Sequence, residues 1–184
     1  MNKTMLRNTV LALLKAAPGL GKVQLRKGLI MIDALYHSFF RETLTGVIYI
    51  KHWFGPVPDD NANNELYKME FGEIKITHER IGQRVKEAHY AIIEPDLSVF
   101  PNRKAIEIIR DVAGFIKANQ AGKLSEITHD AVYENTRMGE EIPIESIYSI
   151  EIAAEPWTKE EHNDAQLAIR ELEESGFDLS PYCQ

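Results

Sequence analysis

The sequence predicts a mainly α protein with a small antiparallel β-sheet (α+β), a single helical domain carrying a β-hairpin. Three observations lead there. Apolar residues recur at helical spacing through the first forty residues and again over 102–118. β-branched and aromatic residues alternate in two short stretches, 47–52 and 74–92. A chain of 184 residues, 44% hydrophobic and 27% charged, is sufficient for one buried core and has the composition of an ordinary globular protein.

The elements follow in order. Leu6, Val10, Leu13, Leu14 and Ala17 share one helical face, and "APGLG" stops the pattern, giving a first helix over about residues 3–17. The second runs from Val23 to Glu42; its "GLIMIDALYHSFF" is apolar on nearly every side, as a central helix packed all round must be. "TGVIYIKHW" alternates and reads as a strand over Val47–His52. "WFGPVP" ends it, because each proline lacks a backbone donor, fixes its own φ and pushes the preceding residue extended. The result is a rigid corner, with Trp53 and Phe54 expected to pack beneath it.

Asp59 and Asp60 then open a short helix to Met69, their carboxylates matched to the helix dipole. Alternation on both sides of Gly82 predicts a hairpin, which with the first strand gives a sheet of three strands. A helix over Asn102–Ala118 follows Pro101, and Ser125 is expected to cap another through Asn135. Finally Thr158 and Glu161 form a capping box for a terminal helix ended by Gly176. The expected organisation is a domain over 1–155 and an acidic helix and tail over 156–184.

The net charge of −7 is unevenly placed: residues 1–51 hold 8 Lys/Arg against 2 acids, residues 131–184 only 3 against 13. This polarity reads as complementary halves or an acidic partner-facing end, and the overall negative field argues against nucleic acid. The single cysteine, Cys183, precludes an internal disulfide and fits a reducing, cytoplasmic setting. Lys3 and Arg7 before "TVLALL" imitate a signal peptide, but Lys15 interrupts the apolar run. No stretch reaches the roughly 18 apolar residues of a membrane-spanning helix.

Several side chains have the chemistry of a site. Asp33 and His37 lie four apart on one helix face, the start of an acid–base or metal arrangement; alternatively, Asp33 accepts bonds from neighbouring backbone or aromatic donors. Ser125, His129 and Asp130 are the residue types of a nucleophile, base and orienter, but no nucleophile elbow accompanies them, and a serine opening a helix is normally a cap. His78 and His89 lack a metal-ligand motif, and "GLGK" at Gly19–Lys22 is a helix–helix turn. Lys22, Arg26 and Lys27 with Arg80, Arg84 and Lys86 have the charge for a winged-helix DNA face, against the plainer reading of a solvated surface. No cofactor and no metal are expected.

Three blocks in fixed order resemble the Panacea domain, the SocA-like antitoxin family often found in phages and prophages. They are "LIMIDALYHSFF", "ETLTGVIYIKHWFGPVP" and "LSEITHDAVYENTRMGEEIPIE", within residues 22–150. The family pattern falls on Asp33, Leu35 and Tyr36; on Thr45, Gly46, Tyr49, Gly55, Pro56, Val57 and Pro58; and on Leu124, Ser125, Thr128 and His129. Tyr133 stands where the family commonly has a tryptophan. The resemblance implies structural roles for these residues and a non-enzymatic function, binding and neutralising a cognate toxin, encoded by the adjacent gene, by direct occlusion or delivery to a protease machinery. Trp53, Phe54, Tyr133, Glu160 and Glu161 are the candidate partner-binding residues. A nucleic-acid-binding regulator is the alternative, and a hydrolase or metal enzyme ranks last.

Overall fold

The computed structural model describes residues 1–81, 84–129 and 131–144, all within one compact unit, Met1–Ile152. The described elements are α1 (Lys3–Ala16), α2 (Lys22–Phe40), β1 (Tyr49–Ile50), β2 (Val57–Pro58), α3 (Asp60–Met69), β3 (Ile74–Ile81), β4 (Arg84–Ala91), a 3-10 turn (Leu97–Val99), α4 (Arg103–Ala118), α5 (Ala121–Ile127) and α6 (Ala131–Asn135). The mainly α expectation with a small β component is met. The terminal helix expected around Thr158, with Glu160 and Glu161, lies outside the described residues, as do Asp130 and the hairpin tip at Gly82.

Three helices make the core. α1 and α4 pack on α2 and on each other, burying Leu6, Val10 and Leu13 of α1, Leu29, Ile30 and Ile32 of α2, and Ile108, Val112 and Ile116 of α4. Their close approach depends on Gly28, where a Cβ would lie 2.7 Å from Leu13 Cδ2 and 2.8 Å from Ile116 Cδ1. Side-chain caps set three helix starts: Asn2 accepts from Met5 N, Asp59 from Ala62 N at 2.9 Å and Asn102 from Ala105 N at 2.9 Å. α2 ends at Arg41, whose φ of 61° is the left-handed cap conformation.

The β structure differs from expectation in two ways. The first strand is shorter, and it pairs antiparallel with the Val57–Pro58 end of the proline-rich corner itself: Tyr49 faces Pro58 and Ile50 faces Val57. Proline is tolerated there because the ladder is two residues long and β2 is its edge. On its other side β1 meets a returning segment, Ile142 N donating to Tyr49 O at 2.8 Å and Lys51 N to Glu140 O at 2.9 Å. The hairpin forms as expected, with Ile74 opposite Ala91 and Ile81 opposite Arg84, but as a separate sheet. His89 ties it to the helices, its backbone N–H donating to Leu20 O and its carbonyl accepting from Gly19 N, both at 2.9 Å.

A further correction concerns Ser125. It lies inside α5, which begins after Gln120, and caps nothing; the helix breaks at Thr128, whose hydroxyl donates back to Leu124 O at 3.1 Å and Ser125 O at 3.0 Å. No helix of the described residues is long and apolar enough to cross a membrane.

Candidate functional site

Helix α2 grips the segment 45–58 at two points. Six residues separate Asp33 from Lys27, about 9 Å of helix rise, so each reaches a different part of the segment. Asp33 is fully buried; it accepts from Thr45 N at 2.8 Å, from the Thr45 hydroxyl and from the Tyr49 hydroxyl at 2.7 Å. Burial pushes its carboxyl above the ordinary aspartate range while these donors pull the other way. The acid–base pairing suggested for Asp33 with His37 is not what holds the carboxylate: its partners are a backbone N–H and two hydroxyls.

Lys27 makes the second contact. Only 1% of it is exposed, and its ammonium donates to Pro56 O at 3.1 Å. Burial, helped by neighbouring Arg26, pushes its pKa down to about 7. Gly55 is the reason the amine fits. A Cβ there would lie 2.2 Å from Lys27 Nζ, 2.8 Å from Thr128 Oγ1 and 3.2 Å from His129 Cδ2, and its φ of +93° is one L side chains rarely adopt.

The third family block closes the arrangement from below. His129 stacks on Tyr133 with ring centroids 4.2 Å apart and planes at 9°. The Tyr133 hydroxyl donates to His52 O at 2.6 Å, and Lys51 lies 4.4 Å over the same ring while donating to Tyr133 O at 2.6 Å. Burial, then the charge of Lys27, pushes the His129 imidazole down, and its buried Nε2 has no hydrogen-bond partner.

These contacts fix a four-residue turn, His52 to Gly55, closed by Gly55 N donating to His52 O at 2.9 Å. At its tip Trp53 and Phe54 are 74% and 69% exposed. The expectation that they pack beneath the corner is therefore wrong. The carbonyls of His52 and Pro56 are turned inward to Tyr133 and Lys27, and the intervening side chains go outward.

The remaining sequence candidates spread away from this centre. Tyr36 is buried on the α4 side, where its hydroxyl accepts from Asn102 Nδ2 at 3.0 Å. Gly46 takes φ +67° against the backbone of Met1. Leu124 is core. Ser125 contributes a carbonyl to Thr128, and Val57 and Pro58 form β2.

The proposed basic face is not assembled: Lys27 is interior, and Arg26 is half-buried and donates to Asn63 Oδ1 at 2.9 Å. Among the described residues no three His, Cys, Asp or Glu side chains gather as metal ligands; His89 instead has Nδ1 2.9 Å from Leu20 O.

Sequence reasoning missed Lys27 and Lys51. For Lys27 a signal existed, since it shares the helix face of Ile30 and Met31, which are three and four residues on.

A mainly helical domain whose three sequence blocks meet around one presented aromatic turn is thus the class that fold and site define. The chain belongs to the SocA-like antitoxin family, its Panacea domain matching over residues 25–133. No curated protein and no solved structure matches the chain.

Proposed function

We propose that the protein neutralises a cognate toxin in the cytoplasm by direct complex formation, with Trp53 and Phe54 at the centre of the contact. The observation that carries this reading is the exposed aromatic pair on a turn held from below by buried groups. Aromatic side chains dominate the binding energy of protein interfaces, and an anchor already fixed in position loses less entropy on association. Two adjacent large aromatics left in water are otherwise unfavourable. Membership of an antitoxin family supports the toxin as the occupant and a non-catalytic role. The acidic stretch 156–184, with Glu160 and Glu161, is proposed as an added specificity element that steers a basic partner.

The test is to express the product of the adjacent gene with and without this protein, recording host growth and co-elution on a sizing column. Growth arrest by the neighbour alone, relieved together with a shared peak, is expected. Trp53→Ala with Phe54→Ala should abolish both while leaving the circular dichroism melt unchanged. A double variant that still rescues growth and co-elutes would remove the aromatic turn from the interface.

A further inference from the structure

The hairpin is held by the helices along one strand only. Ile92 N donates to Glu73 O at 2.9 Å, so in the antiparallel register Glu73 and Ile92 form a hydrogen-bonded pair. Alternation then turns the backbone groups of Lys75, Thr77 and Glu79 toward β4, and those of Ile74, Ile76, His78 and Arg80 away from it. His89, opposite Ile76, conforms: its outward N–H and carbonyl are taken by Leu20 and Gly19. The outward edge of β4 is thus tied to the helix–helix turn, whereas among the described residues the outward N–H and carbonyl groups of Ile74, Ile76, His78 and Arg80 have no hydrogen-bond partner.

Exposed strand edges are normally blunted by proline, a bulge or shortness. β3 has eight residues, no proline and an unbroken register. Beside its start lie Tyr67 and Phe71, 58% and 76% exposed, in edge-to-face contact at 5.0 Å. Ile74 also lines a groove floored by Leu25 and Leu66 and rimmed by Tyr67, Lys22 and Arg26. Backbone partners, apolar floor and cationic rim therefore meet at one strand.

We propose that β3 is a docking edge for an extended segment of a partner protein, added as a third antiparallel or parallel strand, with apolar side chains toward the groove and acidic ones toward Lys22, Lys75 and Arg80. Main-chain bonds along the edge supply affinity, and the alternating side chains supply selectivity. The charge pattern favours a foreign segment over a second copy. Two β3 strands paired antiparallel about Thr77 and His78 would set Lys75 opposite Arg80, a repulsive cross-strand pair. This edge is distinct from the aromatic turn and does not depend on which protein the turn contacts.

The probe is a blocked eight-residue peptide of alternating valine and glutamate, titrated into the isotope-labelled full chain and followed by amide resonances and hydrogen exchange. The expected result is a shift and slowed exchange confined to the amides of Ile74, Ile76, His78 and Arg80, saturating below about 1 mM peptide. A valine–lysine peptide should bind at least about fivefold more weakly, since each cross-strand pair changes sign. His78→Pro removes an outward donor at an exposed position and should abolish the response; Ile76→Pro repeats the test if that variant does not retain the wild-type spectrum. No response at about 1 mM, or equal response to both peptides, overturns the proposal. So does concentration-dependent loss of the same signals without peptide, which assigns the edge to a second copy.

Discussion

Replacing Lys27 with methionine removes a charge from the interior while keeping an unbranched side chain in the same space. The folded pKa of about 7 lies below the ordinary lysine value of 10.5. Between those two pH values the unfolded chain holds a proton that the folded protein releases, so stability rises with pH across this window, and the cost of burial is fully developed below about pH 7. At about 1.36 kcal/mol per pKa unit, that cost is roughly 4 kcal/mol at pH 7 and falls by about 3 kcal/mol by pH 9.5. Losing the hydrogen bond to Pro56 O works against the substitution by about 1–3 kcal/mol, so Lys27→Met should be at least as stable as wild type at pH 7. The decisive quantity is the slope. Urea denaturation followed by circular dichroism at intervals from pH 7 to 9.5 should show wild-type stability climbing by about 3 kcal/mol and the variant lacking that climb. Parallel profiles, or a flat wild type, would refute the assignment of a depressed amine beneath Gly55.

Gly55→Ala should destabilise by more than about 2 kcal/mol in thermal unfolding, since it combines a positive φ with a Cβ pressed on Lys27 and Thr128; Lys27→Met in the same chain should restore part of that loss, because the clashing ammonium is gone. Asp33→Ala leaves Thr45 N and the Tyr49 hydroxyl without their acceptor and should cost about 3–5 kcal/mol in denaturant titration. Tyr133→Phe removes only the bond to His52 O and should cost about 1 kcal/mol while weakening binding through the turn, measured by calorimetry against the co-purified partner.

How far the sequence revealed these features depended on whether the deciding physics was local. Asp59 announces α3 because capping is a contact of neighbours, and the hairpin is announced by alternation around Gly82. Pro58 in a strand was illegible, since only its position at the edge of a tertiary pairing makes it permissible. Ser125 was misread for a similar reason: a good cap residue sits where α5 is already under way, the start having been set at Gln120. Trp53 and Phe54 were expected inside because they are apolar, yet the inward carbonyls of His52 and Pro56 decide the orientation. The family blocks located the site correctly in outline, whereas Lys27, a charged residue on an apolar face, was taken for surface.

The inward grip on the turn uses main-chain oxygen atoms at His52 and Pro56 together with the bare Cα of Gly55. Nothing in that grip reads the side chains at positions 53 and 54. The two positions form a cassette: randomising them should yield a library of folded variants with altered binding preferences, so that a new partner can be selected by changing two codons while the frame beneath them stays as it is.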